Sequence, residues 1–244
     1  MSSTSRIEWT DATWNPITGC TPCSPGCDHC YARTMIGRHL PSMRHDGPFS
    51  RVQFHASRLN QPLHWRRARR IFVCSMGDLF HQDVHGAWLD AVFFRMVLCP
   101  QHTFMCLTKR VREMACAITD RQYPLASDWP LPNLWLGVTV CTPSELCKLD
   151  VLRQTPAARR FVSFEPLLGD MEYGDLTGID WVIVGCETGP GARHMDHDWA
   201  IVLRDRCRTA EIPFFFKRGT PDRTKDATYL DGCEYHQFPE ASTR

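Results

Sequence analysis

From residue 70 onward, short apolar runs recur along the chain, each followed by polar residues and then by a stretch with helical spacing. The runs are Ile71–Ser75, Thr103–Leu107, Leu134–Thr139, Arg160–Phe164, Asp180–Gly185 and Pro213–Lys217. They recur at about the ~30-residue length of a strand–helix–strand unit. Within each run the apolar residues are continuous rather than alternating, as expected of parallel strands covered on both faces. A seventh strand is predicted near Trp14–Gly19, running straight into a cysteine-rich loop. Val84–Leu98 carries Trp88, Val92 and Met96 near helical spacing, with Asp83 as its cap. Thr142-Pro143-Ser144-Glu145 has the form of a capping box with proline at the first helical position, and opens a helix to about Gln154. Asp196–Ala210 aligns Trp199, Val202, Leu203 and Cys207 on one face. Leu40–Arg58 and the tail after Gly219 are rich in Gly, Pro, His and Asp and read as loops. No low-complexity linker divides the chain. The pattern predicts an α/β fold in one domain over residues 1–244: a partial (β/α) barrel of six to seven parallel strands.

Composition narrows the function classes. The 28 Lys+Arg against 27 Asp+Glu exclude a polybasic or polyacidic chain. They leave room for a nucleic-acid substrate, because binding needs a local patch rather than a net excess. The N-terminal MSSTSRIEWTDATW lacks a basic-then-apolar signal pattern. The apolar runs Ala91–Phe94 and Met96–Cys99 are broken by Arg95, far short of a ~20-residue membrane span. The expectation is a cytoplasmic protein that does not engage a membrane. In that compartment clustered cysteines serve metal or redox chemistry more often than disulfides.

There are 13 cysteines, and four of them fall within Cys20-Thr-Pro-Cys23-Ser-Pro-Gly-Cys27-Asp-His-Cys30. Most of the others stand singly in apolar settings, where a thiol behaves as a small buried hydrophobe. Three readings of the loop at residues 19–31 are open. A zinc site would use two CxxC pairs, but zinc ribbons separate their pairs by roughly 15–20 residues and here the gap is short. A thioredoxin-like pair leaves two thiols unexplained. An iron–sulfur loop accounts for Cys23-x3-Cys27-x2-Cys30, the spacing of radical S-adenosylmethionine (SAM) enzymes. Clusters usually take four thiolates. Three leave one iron open, and that iron can chelate the amino and carboxylate groups of SAM.

The predicted strands end in unusually polar residues: Ser75-Met76-Gly77-Asp78, Thr108-Lys109-Arg110, Thr139-Val140-Cys141, Glu165, Gly185-Cys186-Glu187 and Lys217-Arg218. In (β/α) barrels the chemistry lies at the C-terminal ends of the strands. Glu165 and Glu187 are expected to orient substrate, each paired with a lysine such as Lys109 or Lys217, because an unpaired carboxylate in a barrel mouth is costly. Lys109, Arg110 and Arg112 follow a strand end and are placed for a phosphate. Arg66, Arg67, Arg69 and Arg70 precede a strand and belong to the far end of the barrel.

The segments IEWTDATWNPITGC, SPGCDHCYA, SMGDLFH, LTKR, PNLWLGVTV, RFVSFEPLLG, WVIVGCETGPGAR and PFFFK together run nearly end to end. In them the chain resembles the phage- and mobile-element-associated three-Cys-motif proteins, a radical-SAM-like family. The resemblance implies a radical-SAM-type partial barrel, a [4Fe-4S] cluster, SAM, and a reductant such as flavodoxin or ferredoxin. It further implies a protein at work in the host cytoplasm on a nucleoside or DNA base, for example a rearrangement in base hypermodification, with a radical-SAM base-repair lyase and a non-catalytic zinc- or iron–sulfur-stabilised binding module as the alternatives. The family spaces its cysteines as Cys20, Cys27 and Cys30 are spaced here. Cys23 is a departure that competes with Cys20 for the first ligand position, and Cys20 is favoured because it lies in the TGC segment. By the same resemblance Ser75, Gly77 and Asp78 fall where the SAM amino group is held. Thr139 faces the ribose, Glu165 and Gly185 line the SAM site, and Tyr31 packs on the cluster or the adenine. Cys186 and Cys141 depart from the family pattern at barrel ends, where a thiol can donate a hydrogen atom to a substrate radical.

Overall fold

A computed structural model describes residues 5, 7–37, 45–119, 129–221 and 224–240. In chain order its strands are β1 (Ala12–Trp14), β2 (Ile17–Thr18), β3 (Gln53–Phe54), β4 (Arg70–Val73), β5 (Thr103–Thr108), β6 (Leu134–Thr139), β7 (Arg159–Phe164), β8 (Trp181–Gly185) and β9 (Phe214–Arg218). The helices are α1 (Tyr31–Gly37), α2 (Gly86–Val97), α3 (Val111–Thr119), α4 (Cys147–Gln154) and α5 (His197–Thr209). Seven strands form one all-parallel sheet in the order β1-β4-β5-β6-β7-β8-β9, curled into a half-barrel with the helices outside. No helix among the described residues is long and apolar enough to cross a membrane.

The two faces of the sheet are sorted by the strand's period of two. Phe104, Cys106, Leu134, Leu136, Val138, Val162, Phe164, Val182 and Val184 pack against α2 to α5. The alternate positions Phe72, Met105, Trp135, Phe161, Trp181, Ile183 and Phe215 fill the lower part of the concave face, joined by Trp9, Leu107 and Phe238. Trp181 is the hub of this aromatic floor, with Trp9, Trp135, Phe161, Phe215 and Phe238 within 5.2–6.2 Å of it, centroid to centroid. Continuing the same alternation upward brings Lys109, Thr139, Glu165, Gly185 and Lys217 onto the concave side of the strand ends, above that floor.

Several details differ from the sequence expectation. The first strand is Ala12–Trp14 rather than Trp14–Gly19, because Pro16 has no N–H to continue the ladder. Ile17–Thr18 instead pairs antiparallel with Gln53–Phe54, inside a region read as loop, and residues 40–44 of that region lie outside the described ones. α2 starts at Gly86 behind His85, not behind Asp83. The Thr142 box makes a 3-10 turn at Pro143–Glu145, and Glu145 accepts from the Cys141 N–H at 2.8 Å instead of that of Thr142. The α4 helix follows from Cys147. In the tail, Lys225–Thr228 forms a 3-10 turn and Phe238 joins the aromatic floor.

Gly137 of β6 lies under the Phe161 ring, and a Cβ there would meet ring carbons at 2.4–2.6 Å. Gly137→Ala is expected to destabilise the protein by about 1–3 kcal/mol through overpacking. Chemical denaturation should show the loss, and the double variant with Phe161→Leu should recover most of it.

Candidate active site at the mouth of the half-barrel

The cysteine loop leaves β1 and crosses the C-terminal mouth. Gly19 N–H donates to Met76 O at 3.0 Å, which pins the start of the loop to the segment after β4. Neither backbone can carry a side chain there: a Cβ on Gly19 (φ +90) would meet Arg51 O at 2.2 Å, and one on Gly77 would meet Gly19 O at 2.9 Å. Behind the loop, Asp83 N–H donates to His81 Nδ1 at 3.1 Å. The proton of this buried imidazole is therefore on Nε2, which donates to Thr21 Oγ1 at 2.7 Å. Arg110 Nη2 donates to Thr21 O and Oγ1, both at 2.9 Å. In mid-crossing, Gly26 passes so close over Cys141 that a Cβ would meet its Sγ at 2.2 Å and Lys109 Cε at 3.2 Å. The far end is tied to the loop after β8 by Glu187 and Arg193.

Two cations flank the thiols. The Lys109 ammonium has no hydrogen-bond acceptor among the described residues and faces Cys141, Cys27 and Cys30. Burial opposes its charge, yet these thiols and Asp78 outweigh burial and raise its pKa. The Cys27 thiol is held well below its ordinary pKa, first by a hydrogen bond from Cys23, with burial opposing and Lys109 assisting. Cys23 is correspondingly raised. Cys20 is pushed up to about 12, mainly by burial, although Arg110 pulls against it. Burial pushes Cys141 and Cys186 up to about 11 each.

The other expected site residues are placed as follows. Asp78 is buried and accepts from Thr108 Oγ1 at 2.8 Å on both oxygens and from Phe80 N–H at 3.0 Å. Ser75 Oγ donates to Asn15 Oδ1 at 3.2 Å, and the Tyr31 hydroxyl donates to Ser75 O. Tyr31 itself is half-exposed. Glu165 pairs with Lys217, and Gly185 leaves the room for them, since a Cβ there would already touch both side chains. Glu187 is 5% exposed, but its partners are Arg193 and His29, not a lysine. Burial alone would raise the Glu187 pKa, and the Arg193 hydrogen bonds lower it. Thr139 and Ser163 stand in register on β6 and β7, and the buried Ser163 Oγ has no hydrogen-bond partner among the described residues. Cys141 and Lys109 thus lie at the mouth with Glu165 and Lys217, whereas Cys186, one step past the concave Gly185, packs in the helix-side core. Arg66 and Arg67 are exposed and Arg70 pairs with Asp11 at the opposite end of the sheet. A surface hollow beside Leu176, Ile179, Val202 and Arg206 also lies at that opposite end.

A family model spans residues 4–239. The chain belongs to the DUF5131 family. That family is described as proteins of unknown function. No curated protein and no solved structure matches the chain. In this DUF5131 protein, no three His, Cys, Asp or Glu side chains among the described residues converge closely enough to hold a single metal ion. A four-iron cluster is larger than one ion and takes its thiolates from farther apart. Up to four soft thiols on one loop, with a cation on either side, have the donor chemistry such a cluster takes. Cys20, Cys27 and Cys30, or Cys23 in the place of Cys20, would hold it.

Sequence reading missed Arg193, His29, the Thr21–His81–Arg110 set, and a histidine pair. Thr18 Oγ1 lies 2.8 Å from both His45 Nδ1 and His55 Nε2, directly before the Gly19 turn. Burial, then the charge of Arg58, lowers the His55 pKa from 6.5 to about 4. The folded state thus favours the neutral ring. This contribution to stability is complete above the unfolded value and is lost as pH falls from about 6.5 to about 4. Thermal melts across that interval should show the midpoint falling with pH, and His55→Gln should show a smaller fall.

Proposed function

We propose that this DUF5131 protein is a radical SAM enzyme acting on a nucleoside or a nucleic-acid base, with flavodoxin or ferredoxin as its reductant. The observation that carries the reading is the course of the cysteine loop. It lies over the C-terminal mouth of a parallel half-barrel, where Lys109 faces Cys27, Cys30 and Cys141. The resemblance to the three-Cys-motif proteins supports the substrate class as an analogy between related chains, since a fold alone names no substrate.

Cys20, Cys27 and Cys30 would hold a four-iron cluster, which when bound would supply the one-electron reduction of the SAM sulfonium. The remaining roles belong to the chain. Lys109 offsets the negative charge of the thiolates and stabilises their deprotonated form. Ser75, Gly77 and Asp78 line the side of the mouth nearest Cys20, where the SAM amino group is assigned. Thr139 and Gly185 face the interior at the level of the ribose. Glu165 and Lys217 orient substrate from the strands opposite. Burial raises the Cys141 pKa to about 11, so it remains a thiol at neutral pH, the form that can donate a hydrogen atom; Cys186, packed on the helix side, is not placed for that role. The aromatic floor keeps water from entering beneath the reacting groups.

The test is anaerobic reconstitution with iron and sulfide, followed by dithionite and SAM. The protein is expected to show visible cluster absorbance and to release 5′-deoxyadenosine, and Cys27→Ala and Cys30→Ala should reduce both to background. Stoichiometric zinc without nucleoside product would replace this reading with a metal-stabilised binding module. Cys20→Ala is expected to lose the cluster while Cys23→Ala keeps it; the reverse result would move the first ligand to Cys23.

A further inference from the structure

We infer that Arg193 is a positioning residue that sets where Cys27 and Cys30 stand, acting through Glu187 as a clasp between two loops. The inference rests on the mouth being a cluster site. Its geometry does not depend on any bound group.

Arg193 spends every arm of its side chain on this junction. On one side its backbone N–H and Nε donate to Glu187 Oε2 at 2.9 and 2.8 Å, and Nη2 donates to Glu187 Oε1 at 2.5 Å. On the other side Nη2 donates to Pro25 O at 2.9 Å and Nη1 to Asp28 Oδ2 at 3.1 Å. His29, between the two cysteines, adds a contact from Nδ1 to Glu187 Oε2 at 3.0 Å. The joined segments are 158–168 residues apart in sequence, and neither belongs to the sheet. A guanidinium fork can bridge several acceptors in fixed directions, whereas a lysine offers only a point charge.

The other holds on this end of the loop come from the α1 side, where Arg33 Nη2 donates to Cys27 O at 2.8 Å and Tyr31 donates to Ser75 O; on the β8 side there is little beyond the clasp. Thr188-Gly189-Pro190-Gly191-Ala192 is nearly without side chains, and Gly189 and Gly191 both have positive φ. The Pro25–Cys27 turn is capped only locally, by Ser24 Oγ accepting from Gly26 N–H at 3.2 Å. The Cys20 end is anchored separately, by the Gly19–Met76 bond and by Arg110 on Thr21. The two ends of the loop are therefore fixed separately, and the clasp is what joins the Pro25–His29 stretch to the loop after β8. Glu187 takes four hydrogen bonds in this arrangement and is a partner in the clasp.

The two fixings separate in a labelling experiment on the metal-free, reduced chain. Cysteines are pulse-alkylated with iodoacetamide and quantified site by site by mass spectrometry. Arg193→Ala is expected to raise the rates at Cys27 and Cys30 by about tenfold or more, the scale of losing charge-assisted hydrogen bonds. Cys20 should change by less than about twofold, and buried Cys99 and Cys207 should stay protected, reporting an intact fold. A uniform rise at all sites, or no rise at Cys27 and Cys30, overturns the clasp. If Cys99 and Cys207 become reactive in Arg193→Ala, Glu187→Gln is measured instead, with the same selectivity expected and the same contrary results. On reconstituted protein, Arg193→Lys should release iron to a chelator faster than the wild type does, and equal rates also count against the clasp. Selective labelling in a chain that takes up no iron would keep the clasp and remove the radical SAM reading. Cluster and 5′-deoxyadenosine with unselective labelling would do the opposite.

Discussion

The close approach of two backbones, at Gly19 and Gly77, determines where the chemistry of this molecule is placed. The cysteine loop departs from the edge strand β1, and nothing in that strand obliges it to turn across the mouth. The turn is enforced where the two glycines meet: a Cβ on Gly77 would meet Gly19 O, and one on Gly19 would meet Arg51 O on its other side. The adjoining segment is turned toward the same point by Cys74, a non-glycine residue at φ 57 just after β4, and by Asn15 Oδ1, which accepts from Met76 N–H at 2.9 Å. A left-handed residue with a side chain is uncommon and is held there by its surroundings. The histidine pair at Thr18 and the Thr21–His81–Arg110 set then stiffen the loop from behind.

Because the loop crosses at that height, one dipeptide serves both halves of it. Lys109 continues the concave positions of β5 and meets Cys27, Cys30 and Cys141 from within the mouth. Its neighbour Arg110 points the other way and reaches Thr21, beside Cys20 and Cys23. The alternation of a strand end has divided four thiols between two cations. Asp78 stands between them, bonded to Thr108 and to backbone N–H groups. A carboxylate bound this way fixes the strand ends on which both cations are mounted.

Much of this was legible in the sequence, for a physical reason. A parallel strand buried on both faces must be apolar throughout, so six strands stand out as uninterrupted runs and agree with β4 to β9 within a few residues. The period of two then carries each pattern one step past the strand, which is why Lys109, Thr139, Glu165, Gly185 and Lys217 are found together. What was not legible depends on short or distant contacts. Pro16 splits one expected strand into β1 and a two-residue ribbon, and neither is long enough to show a period. α1 is too short to show a period, whereas α3 carries Val111, Met114 and Ile118 at helical spacing, a pattern the sequence does hold. Arg193 lies far in sequence from Pro25 and Asp28, and no local pattern marks such a partner.

The aromatic floor also governs the order in which the molecule can be completed. Trp9, from before the first strand, and Phe238, from after the last, both pack on Trp181, and Arg70 stacks over Phe238 at 4.0 Å. The lumen is closed below only when segments some 230 positions apart have come together, a contact of very high sequence separation whose loop-closure entropy must be met first. During synthesis the strands can pair in sequence as they emerge, each beside its predecessor. The barrel stays open at the bottom until Phe238 reaches Trp181, so the floor is sealed only by the segment that follows β9.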